Sequence, residues 1–340
     1  MASVELGDLL VVVGCLAGLV VAADRLLIVG AANLALRLRM SSVLVGVLIV
    51  GFGTSAPELV VSIVSILEDQ APGTELAIGN VVGSNVANLT LVLAIPALIF
   101  RGGVVFQETT PPEAKTSLIA VWLFGGVLLL VHHGHIEASH SSSMMTGVAL
   151  LLCGSLLLWP SVTRPRSNWG GEEPRGIPGL LSSWVMTLTG LIGTLFSAHF
   201  LVRAATNIAH DMGWTSGFVG FTLIALGTSL PELVTVLAAA RQGKTGLILG
   251  NLLGSNLLNS VGVGAVIFFT HGFMDFEAPQ DLPVVPIYGM MLISALIWYF
   301  LANDSLSKTP SKSRIDSREA LVLLVIYSGL LGQMVVSATA

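Results

Sequence analysis

Charged residues are scarce in this chain, since only 10% of its 340 residues are Asp, Glu, Lys or Arg and 54% are apolar. A soluble protein carries about 25% charged residues, so this chain cannot give several soluble domains a polar surface. Cysteine is also rare, with only Cys15 and Cys153, both in apolar runs. These shortages exclude a secreted disulfide scaffold, an intrinsically disordered chain and a nucleic-acid-binding protein. They predict an integral membrane protein.

Lys and Arg are absent before the first apolar run, and no small-residue cleavage site is evident there. That run is therefore predicted to be a retained helix rather than a cleaved signal peptide. Apolar stretches of the length needed to cross a bilayer predict an all-α polytopic protein with ten transmembrane helices. We expect these helices at residues 7–30, 42–67, 77–100, 116–132, 144–160, 180–206, 215–240, 246–270, 283–302 and 319–338.

The most polar connection, residues 161–178, lies at the midpoint of the chain and is rich in Pro and Gly. It predicts a linker between two five-helix halves, residues 1–160 and 179–340. Of the 15 Lys and Arg residues, all but Arg25 and Arg203 lie in odd-numbered connections between the predicted helices. Basic loops stay on the cytoplasmic side, so the linker is predicted to be cytoplasmic and both termini extracytoplasmic.

The two halves contain a sequence repeat. Residues 53–60, GTSAPELV, recur as residues 227–234, GTSLPELV, and residues 79–88, GNVVGSNVAN, recur as residues 250–259, GNLLGSNLLN. The offsets are 174 and 171 residues, respectively. Because each half has an odd number of predicted helices, the copies are expected to have opposite orientations in the membrane. Secondary transporters with inverted repeats bind their substrates near the midplane, between the repeats.

The first motif of each half is predicted to break a helix in the middle of the membrane. Two glycines and Pro57 interrupt the span before Glu58, and the apolar stretches on either side are each too short to cross alone. Ser55 and Glu58 have the spacing of a capping box. An ionised carboxylate at this depth is costly and normally faces an ion pathway, and Glu232 occupies the same place in the second half. We therefore favour an ion-binding role for both glutamates.

The second motif supplies hydroxyl and amide oxygens. Ser84 and Asn88 are four residues apart, as are Ser255 and Asn259, so each pair shares one helix face. The glycines of this motif are predicted mainly to permit close helix packing. All these donors are hard oxygen ligands, which select Ca²⁺ or Na⁺ over zinc or copper. Competition of one Ca²⁺ and several monovalent ions for two carboxylates predicts an antiporter that needs no cofactor.

Three alternatives remain open from the residues alone. The two glutamates could load protons, which would make the chain a Ca²⁺/H⁺ exchanger. Duplicated carboxylates and broken helices also fit a cation channel, although inverted halves around a closed site favour a carrier. An intramembrane hydrolase is the weakest alternative, since no His or Lys lies at helical spacing from the serines to act as base. The chain is thus predicted not to be an enzyme. The lipid bilayer is its expected partner besides the transported ions, and no protein partner is inferred.

The four motifs resemble the alpha-repeats of the cation/Ca²⁺ exchanger superfamily, in particular its sodium/calcium exchanger branch. The resemblance implies ten transmembrane helices and exchange of Ca²⁺ for Na⁺ by alternating access. It implies that Glu58 and Glu232 are the central ligands and that the remaining ligands are Thr54, Ser55, Thr228, Ser229, Ser84, Ser255, Asn88 and Asn259, with the carbonyl groups of Gly51 and Ala225. Asn88 and Asn259 favour transport without K⁺. The short linker resembles that of prokaryotic exchangers without regulatory domains, which implies a location in a prokaryotic plasma membrane.

Two other polar groups are assigned no role in the site. His132, His133, His135 and His140 crowd a predicted external loop, where we favour a loop without function over a metal or pH-sensing site. Asp24, Arg25 and Arg203 lie within the first and sixth helices, where a local ion pair or snorkelling to the interface is favoured over ion coordination.

Overall fold

The computed structural model describes residues 6–100, 104–106, 112–136, 140–163, 178–211, 225–274, 282–303 and 313–339. The first half contains the helices α1 (Leu6–Val21), α2 (Ile28–Leu38), α3 (Ser42–Val45), α4 (Phe52–Thr54), α5 (Ala56–Ala87), α6 (Leu93–Ile99), α7 (Pro112–His132) and α8 (His140–Thr163). Wider π-helical turns join some of these segments, at Ala22–Leu27, Gly46–Gly51 and Asn88–Val92.

The second half contains α9 (Leu180–Asp211), α10 (Ala225–Thr228), α11 (Leu230–Arg241), α12 (Thr245–Leu257), α13 (Gly264–Met274), α14 (Val284–Asn303) and α15 (Ser317–Thr339). A π-helical turn at Leu258–Val263 joins α12 to α13. Two short strands, β1 (Val104–Phe106) and β2 (Ser313–Ile315), pair antiparallel. Most of the predicted linker, residues 164–177, lies outside the described residues, as do residues 212–224 at the predicted start of the seventh helix.

These segments form ten helical runs that correspond to the ten predicted spans. Among the described residues, seven helices are long and apolar enough to cross a membrane, and Val284–Phe300 is a shorter apolar helix. Large apolar side chains such as Leu181, Leu156 and Val325 are more than 70% exposed on the outer surface. The chain is thus a polytopic helical membrane protein whose outer surface suits lipid. The first run is longer than predicted, since α2 continues to Leu38.

Helix α5 doubles back and contains the end of the second run and the start of the third. Asn80 Nδ2 donates to the main-chain oxygen of Glu58 at 3.2 Å, although 22 residues of straight helix would separate them by about 33 Å. The reversal is tight, because a side chain at Gly73 would collide with the backbone of Ser65 and Ile66. The hairpin brings the two motifs of the first half together.

The contacts between the halves show that the repeats are inverted. Cβ atoms built on Gly250 and Gly254 would meet Val43 and Val47, respectively, so the second and eighth runs are parallel. Within the first repeat, the second and third runs are antiparallel. The eighth run is the repeat equivalent of the third, so it would also be antiparallel to the second run if both repeats had the same orientation. The parallel packing therefore requires opposite orientations, as the odd number of helices per half predicted.

Helix α12 lies at the centre of the molecule. Every residue from Leu247 to Leu257 is buried, and the helix packs along the π-helical turn Gly46–Gly51 of the other repeat. The backbones are in direct contact, because a Cβ on Gly46 would lie 2.7 Å from the Cα of Gly250. Small residues allow such close approach in membrane helices. The central helix therefore carries its polar motif into the middle of the protein.

Contacts between connections agree with the prediction that odd-numbered connections lie on one side of the membrane and even-numbered ones on the other. Val104 in the third connection pairs with Ile315 in the ninth, and Arg37, next to the first connection, donates through Nε to Pro178 O, at the end of the linker. At the other side, Ser143 near the fourth connection contacts His271 near the eighth. Odd connections thus meet odd ones and even meet even, as ten spans require.

Candidate functional site

Each proline-glutamate motif interrupts a helix, as predicted. In the first half α4 ends at Thr54 and α5 begins at Ala56, with Ser55 between them at φ −83° and ψ 6°. In the second half Ser229 separates α10 from α11 at φ −89° and ψ 2°. Pro57 and Pro231 lie in the first turn of the following helix, where a missing N–H leaves no helical hydrogen bond unmade. The local sequence therefore explains both breaks.

The predicted capping box is wrong. Ser55 and Ser229 occupy the N-cap position, but neither side chain caps its helix. The Ser55 hydroxyl donates instead to Glu232 Oε1 at 3.4 Å, and the Glu58 carboxylate accepts from Ser84 in the other arm of the α5 hairpin. These side chains turn away from the amides of their own helix and towards the interface between the repeats.

Glu58 is fully buried in the first repeat. Its Oε1 accepts a hydrogen bond of 2.9 Å from Ser84 Oγ, across the α5 hairpin. Ser84 Oγ in turn accepts from Asn259 Nδ2 of the second repeat at 3.2 Å. The second carboxylate oxygen, Oε2, is buried and has no hydrogen-bond partner among the described residues. The hairpin thus presents a carboxylate with one free oxygen.

Glu232 has equivalent surroundings in the second repeat. It is fully buried, and its Oε1 accepts from Ser255 Oγ at 3.3 Å as well as from Ser55. Its Oε2 also has no partner within the described part of the chain. No Lys or Arg of the described residues forms an ion pair with either glutamate. Two buried carboxylates therefore meet one interface without a cationic side chain to balance them.

Hydroxyl and carbonyl oxygens surround the first break. Thr54 Oγ1 donates to Asn251 Oδ1 at 3.0 Å and lies 3.4 Å from Ser255 Oγ. The carbonyl oxygen of Gly51 is within hydrogen-bond distance of Thr54 Oγ1 and Ser255 Oγ, at 3.3 Å from each. Gly51 O and Thr54 are thus at the site, next to the hydroxyl that contacts Glu232.

A layer of buried asparagines continues from the carboxylates. Asn88 Nδ2 donates to Asn256 Oδ1 at 3.1 Å, and Asn85 Nδ2 donates to Ser260 Oγ at 3.0 Å. The amide oxygens of Asn85, Asn88 and Asn259 are buried without a donor among the described residues. Buried polar atoms are normally hydrogen-bonded, so three unpaired carbonyl oxygens in one layer are available to a cation.

The two repeats make different contacts although their motifs match. Ser55 reaches Glu232 of the opposite repeat, whereas the equivalent Ser229 is buried with no partner for its Oγ in the described part of the chain. Gly250 packs on the other repeat, and a Cβ on its equivalent Gly79 would meet no described atom within 4 Å, while residues 217 and 220, which correspond to Val43 and Gly46, lie outside the described residues. The prediction of close packing therefore holds for Gly250.

Two predicted ligands lie at or just before the second helix break. Thr228 is half-buried next to Ser229, and Ala225 begins α10. Four motif asparagines not singled out from the sequence do lie at the site, namely Asn80, Asn85, Asn251 and Asn256. Each of them recurs in the other half at an offset of 171 residues. That recurrence is the signal that identifies them.

The other polar groups lie apart from the glutamates. Asp24 is buried and accepts from Arg241 Nη2 at 2.6 Å and from Gln242 Nε2 at 3.0 Å, whereas Arg25 approaches only to 3.7 Å. The expected local pair of Asp24 with Arg25 is thus replaced mainly by a bond between the repeats.

The rings of His132 and His133 are 5.1 Å apart, and no metal-binding group of three His, Cys, Asp or Glu occurs in the described residues. His140 begins α8.

Comparison with known proteins gives one consistent family. The family model described as sodium/calcium exchanger protein matches residues 8–169 and 182–335. The chain is 32% identical to the putative antiporter CaxA of Alkalimonas amylolytica, covering 92% of this chain and 93% of that protein. It is 26% identical to the sodium/calcium exchanger MaX1 of Methanosarcina acetivorans, with 88% and 91% coverage.

The fold also matches a solved structure. A structure of the sodium-calcium exchanger NCX_Mj soaked with 10 mM Na⁺ and zero Ca²⁺ superimposes with a TM-score of 0.74 at 26% identity. The superposition covers 98% of this chain and 99% of that one. The family model, the relatives and the fold agree across both halves of the molecule. The chain belongs to the sodium/calcium exchanger family.

Proposed function

We propose that this protein exchanges Ca²⁺ for Na⁺ across the membrane by alternating access, with Glu58 and Glu232 as shared central ligands. The observation that carries the proposal is the pair of fully buried carboxylates at one repeat interface, each with an oxygen that has no partner among the described residues. Burying an unpaired carboxylate is costly. A transported cation would remove that cost, and this site supplies the ligands for one.

The donor set supports a hard cation. Ca²⁺ takes six to eight oxygen ligands from carboxylates, carbonyls and hydroxyls, and the residues around the carboxylates supply only these types. The proposed ligands besides the glutamates are Thr54, Ser55, Ser84, Ser255, Thr228, Ser229, Asn88, Asn259 and the carbonyl groups of Gly51 and Ala225. The thiols of Cys15 and Cys153 are only partly buried and unpaired, and they form no part of this set.

Charge provides the coupling between the ions. One Ca²⁺ or more than one Na⁺ would neutralise two carboxylates, whereas the carboxylates alone would be costly to move through a low-dielectric interior. The carrier would therefore change sides only when loaded. Since both ions use the same negative charges, binding of one would displace the other, which is the requirement for antiport.

The unequal contacts of the two repeats support alternating access. The Ser55–Glu232 contact is formed, whereas its repeat equivalent Ser229 has no partner for its Oγ in the described part of the chain. In an inverted repeat, transfer of this contact from Ser55 to Ser229 would turn the site towards the other side of the membrane. The names of MaX1, a sodium/calcium exchanger, and CaxA, a putative antiporter, agree with this function.

The test is ⁴⁵Ca²⁺ uptake by the purified chain in proteoliposomes. We expect uptake to require an outward Na⁺ gradient at equal internal and external pH, to saturate with Ca²⁺, and to continue when K⁺ is omitted. Uptake that follows only a pH gradient would instead assign the protein as a Ca²⁺/H⁺ exchanger. Flux that neither saturates nor depends on a counter-ion would identify a channel.

A further inference from the structure

A groove opens on the outer surface between α7 and α14, separate from the glutamates. It has a volume of about 520 Å³, and its apolar walls are formed mainly by Leu118, Ile119, Trp122, Leu123 and Ala295. Ile119 and Trp122 are each 47% exposed. On a membrane protein, exposed side chains of this type contact lipid chains, so the groove opens to the bilayer.

The groove has a polar residue at each end. At one end the Lys115 ammonium lies 5.4 Å from the centre of the Trp298 ring, in the range of a cation–π contact. Lys115 is exposed, and it forms no ion pair with a carboxylate of the described residues. At the other end Trp122 Nε1 donates to Ser294 Oγ at 2.8 Å, which joins the two walls. A positive charge is thus held at one mouth of an apolar slot.

The position along the helix places that charge at the membrane surface. Lys115 lies in the first turn of α7, which begins at Pro112, and the groove continues along the helix to Leu123, a distance of about 12 Å. Tryptophan rings and lysine side chains are typical of the interface between headgroups and hydrocarbon. The mouth is therefore at headgroup depth and the slot extends into the hydrocarbon layer.

We propose that this groove binds an anionic phospholipid, with the lipid phosphate at Lys115 and one acyl chain along Ile119, Trp122 and Ala295. Charge complementarity selects the lipid class, since the groove mouth offers a cation and no described carboxylate pairs with it. Lys115 belongs to an odd-numbered connection, which the basic residues assign to the cytoplasmic side, where anionic lipids attract such residues. Ser294 is one helical turn from Met290, whose Sδ contacts Asn85 Nδ2 at 3.5 Å. The bound lipid would therefore lie against a helix that supports the ion site.

Native mass spectrometry of the full-length protein tests the proposal, with dioleoyl phosphatidylglycerol and dioleoyl phosphatidylcholine as probes. We expect one phosphatidylglycerol to be retained in preference to phosphatidylcholine. Lys115→Gln should lower that preference about fivefold, the effect of one interfacial charge, while Lys115→Arg and the exposed control Lys244→Gln keep it. Ala295→Leu, which fills the groove without changing charge, should reduce retention of both lipids.

Thermal unfolding in detergent verifies that each variant is folded before lipid retention is compared. Equal retention of the two lipids by the unmodified protein would overturn the proposal. So would an unchanged phosphatidylglycerol preference in Lys115→Gln, or unchanged retention of both lipids in Ala295→Leu. Because no step of this test measures Ca²⁺ transport, its result is independent of the proposed exchange activity.

Discussion

Asn259 donates its side-chain amide to Ser84 at 3.2 Å, across the interface between the two repeats. This bond orients the Ser84 hydroxyl, which donates to Glu58 Oε1 at 2.9 Å. An asparagine of one repeat thus positions the hydroxyl that contacts the carboxylate of the other. The amide oxygen of Asn259 stays without a described partner, so the same side chain can position a ligand and offer one.

Ser84→Ala is expected to raise the Ca²⁺ concentration for half-maximal uptake about tenfold, because a hydrogen bond to a charged group contributes about 1.5–3 kcal/mol. The variant also leaves the Asn259 amide without its acceptor. Initial rates of ⁴⁵Ca²⁺ uptake at several Ca²⁺ concentrations measure the effect. Ser155→Ala is the matched control, since Ser155 is exposed and its hydroxyl donates to Leu151 O of its own helix. Equal half-saturation in the two variants would contradict the assignment of Ser84.

Glu58→Gln and Glu232→Gln are each expected to reduce Na⁺-driven Ca²⁺ uptake by at least about tenfold, since the number of charged ligands determines Ca²⁺ affinity. Glutamine keeps the shape of the side chain and removes its charge. Glu319→Gln is the control, because its carboxylate accepts from Asp316 N near the start of α15 and an amide oxygen can replace it. Normal uptake by either site variant, at normal abundance, would refute the proposed ligand pair.

Gly250→Ala is expected to destabilise the protein by about 1–3 kcal/mol, because the added methyl group collides with Val43 O and Gly46 and overpacks the helix contact. In Gly79→Ala, at the equivalent position of the first repeat, the added methyl group meets no described atom within 4 Å. It should be neutral or stabilising by up to about 1 kcal/mol, since alanine is the better helix former. Thermal unfolding in detergent compares them, and equal midpoints would show that the repeats pack alike.

Arg241→Gln is expected to lower stability by about 1–3 kcal/mol, because it leaves the buried Asp24 carboxylate without its main cationic partner. Arg25→Gln should change stability by less than about 0.5 kcal/mol, since Arg25 is 75% exposed and lies 3.7 Å from the same carboxylate. Unfolding midpoints at one detergent concentration measure both. A larger loss of stability in Arg25→Gln than in Arg241→Gln would show that Asp24 pairs mainly with Arg25.

The predicted orientation can be tested by cysteine labelling in cells. In a background with Cys15 and Cys153 replaced by Ala, His133→Cys should react with a membrane-impermeant maleimide added outside, and Lys244→Cys should react only after the membrane is opened. Both positions are exposed in the structure. The distribution of Lys and Arg predicts that His133 lies in an external connection and Lys244 in a cytoplasmic one. The reverse labelling pattern would invert the orientation of the whole protein.

Many features could be predicted without coordinates because they depend on composition and internal repetition. Apolar length predicts the spans, and two copies with an odd number of helices predict inversion. Glu58 and Glu232 are conspicuous because a carboxylate in the middle of the membrane is costly unless it is used. Asn251 and Asn256 carry the same repeat signal, but only their contacts with Thr54 and Asn88 bring them into the site.

By itself, the sequence determined the helix count, the inverted duplication, the helix breaks and the two intramembrane acids. The tertiary structure alone decided that Ser55 turns to Glu232 instead of capping its helix, and that Asp24 pairs with Arg241 rather than mainly with Arg25. It also decided that Gly250 packs against the backbone of Val43 and Gly46 in the other repeat. The physical reason is that hydropathy and helix breaks are local properties, whereas these contacts join residues far apart in the chain. Two nearly identical motifs cannot encode different surroundings, so their difference arises only from how the inverted halves are packed.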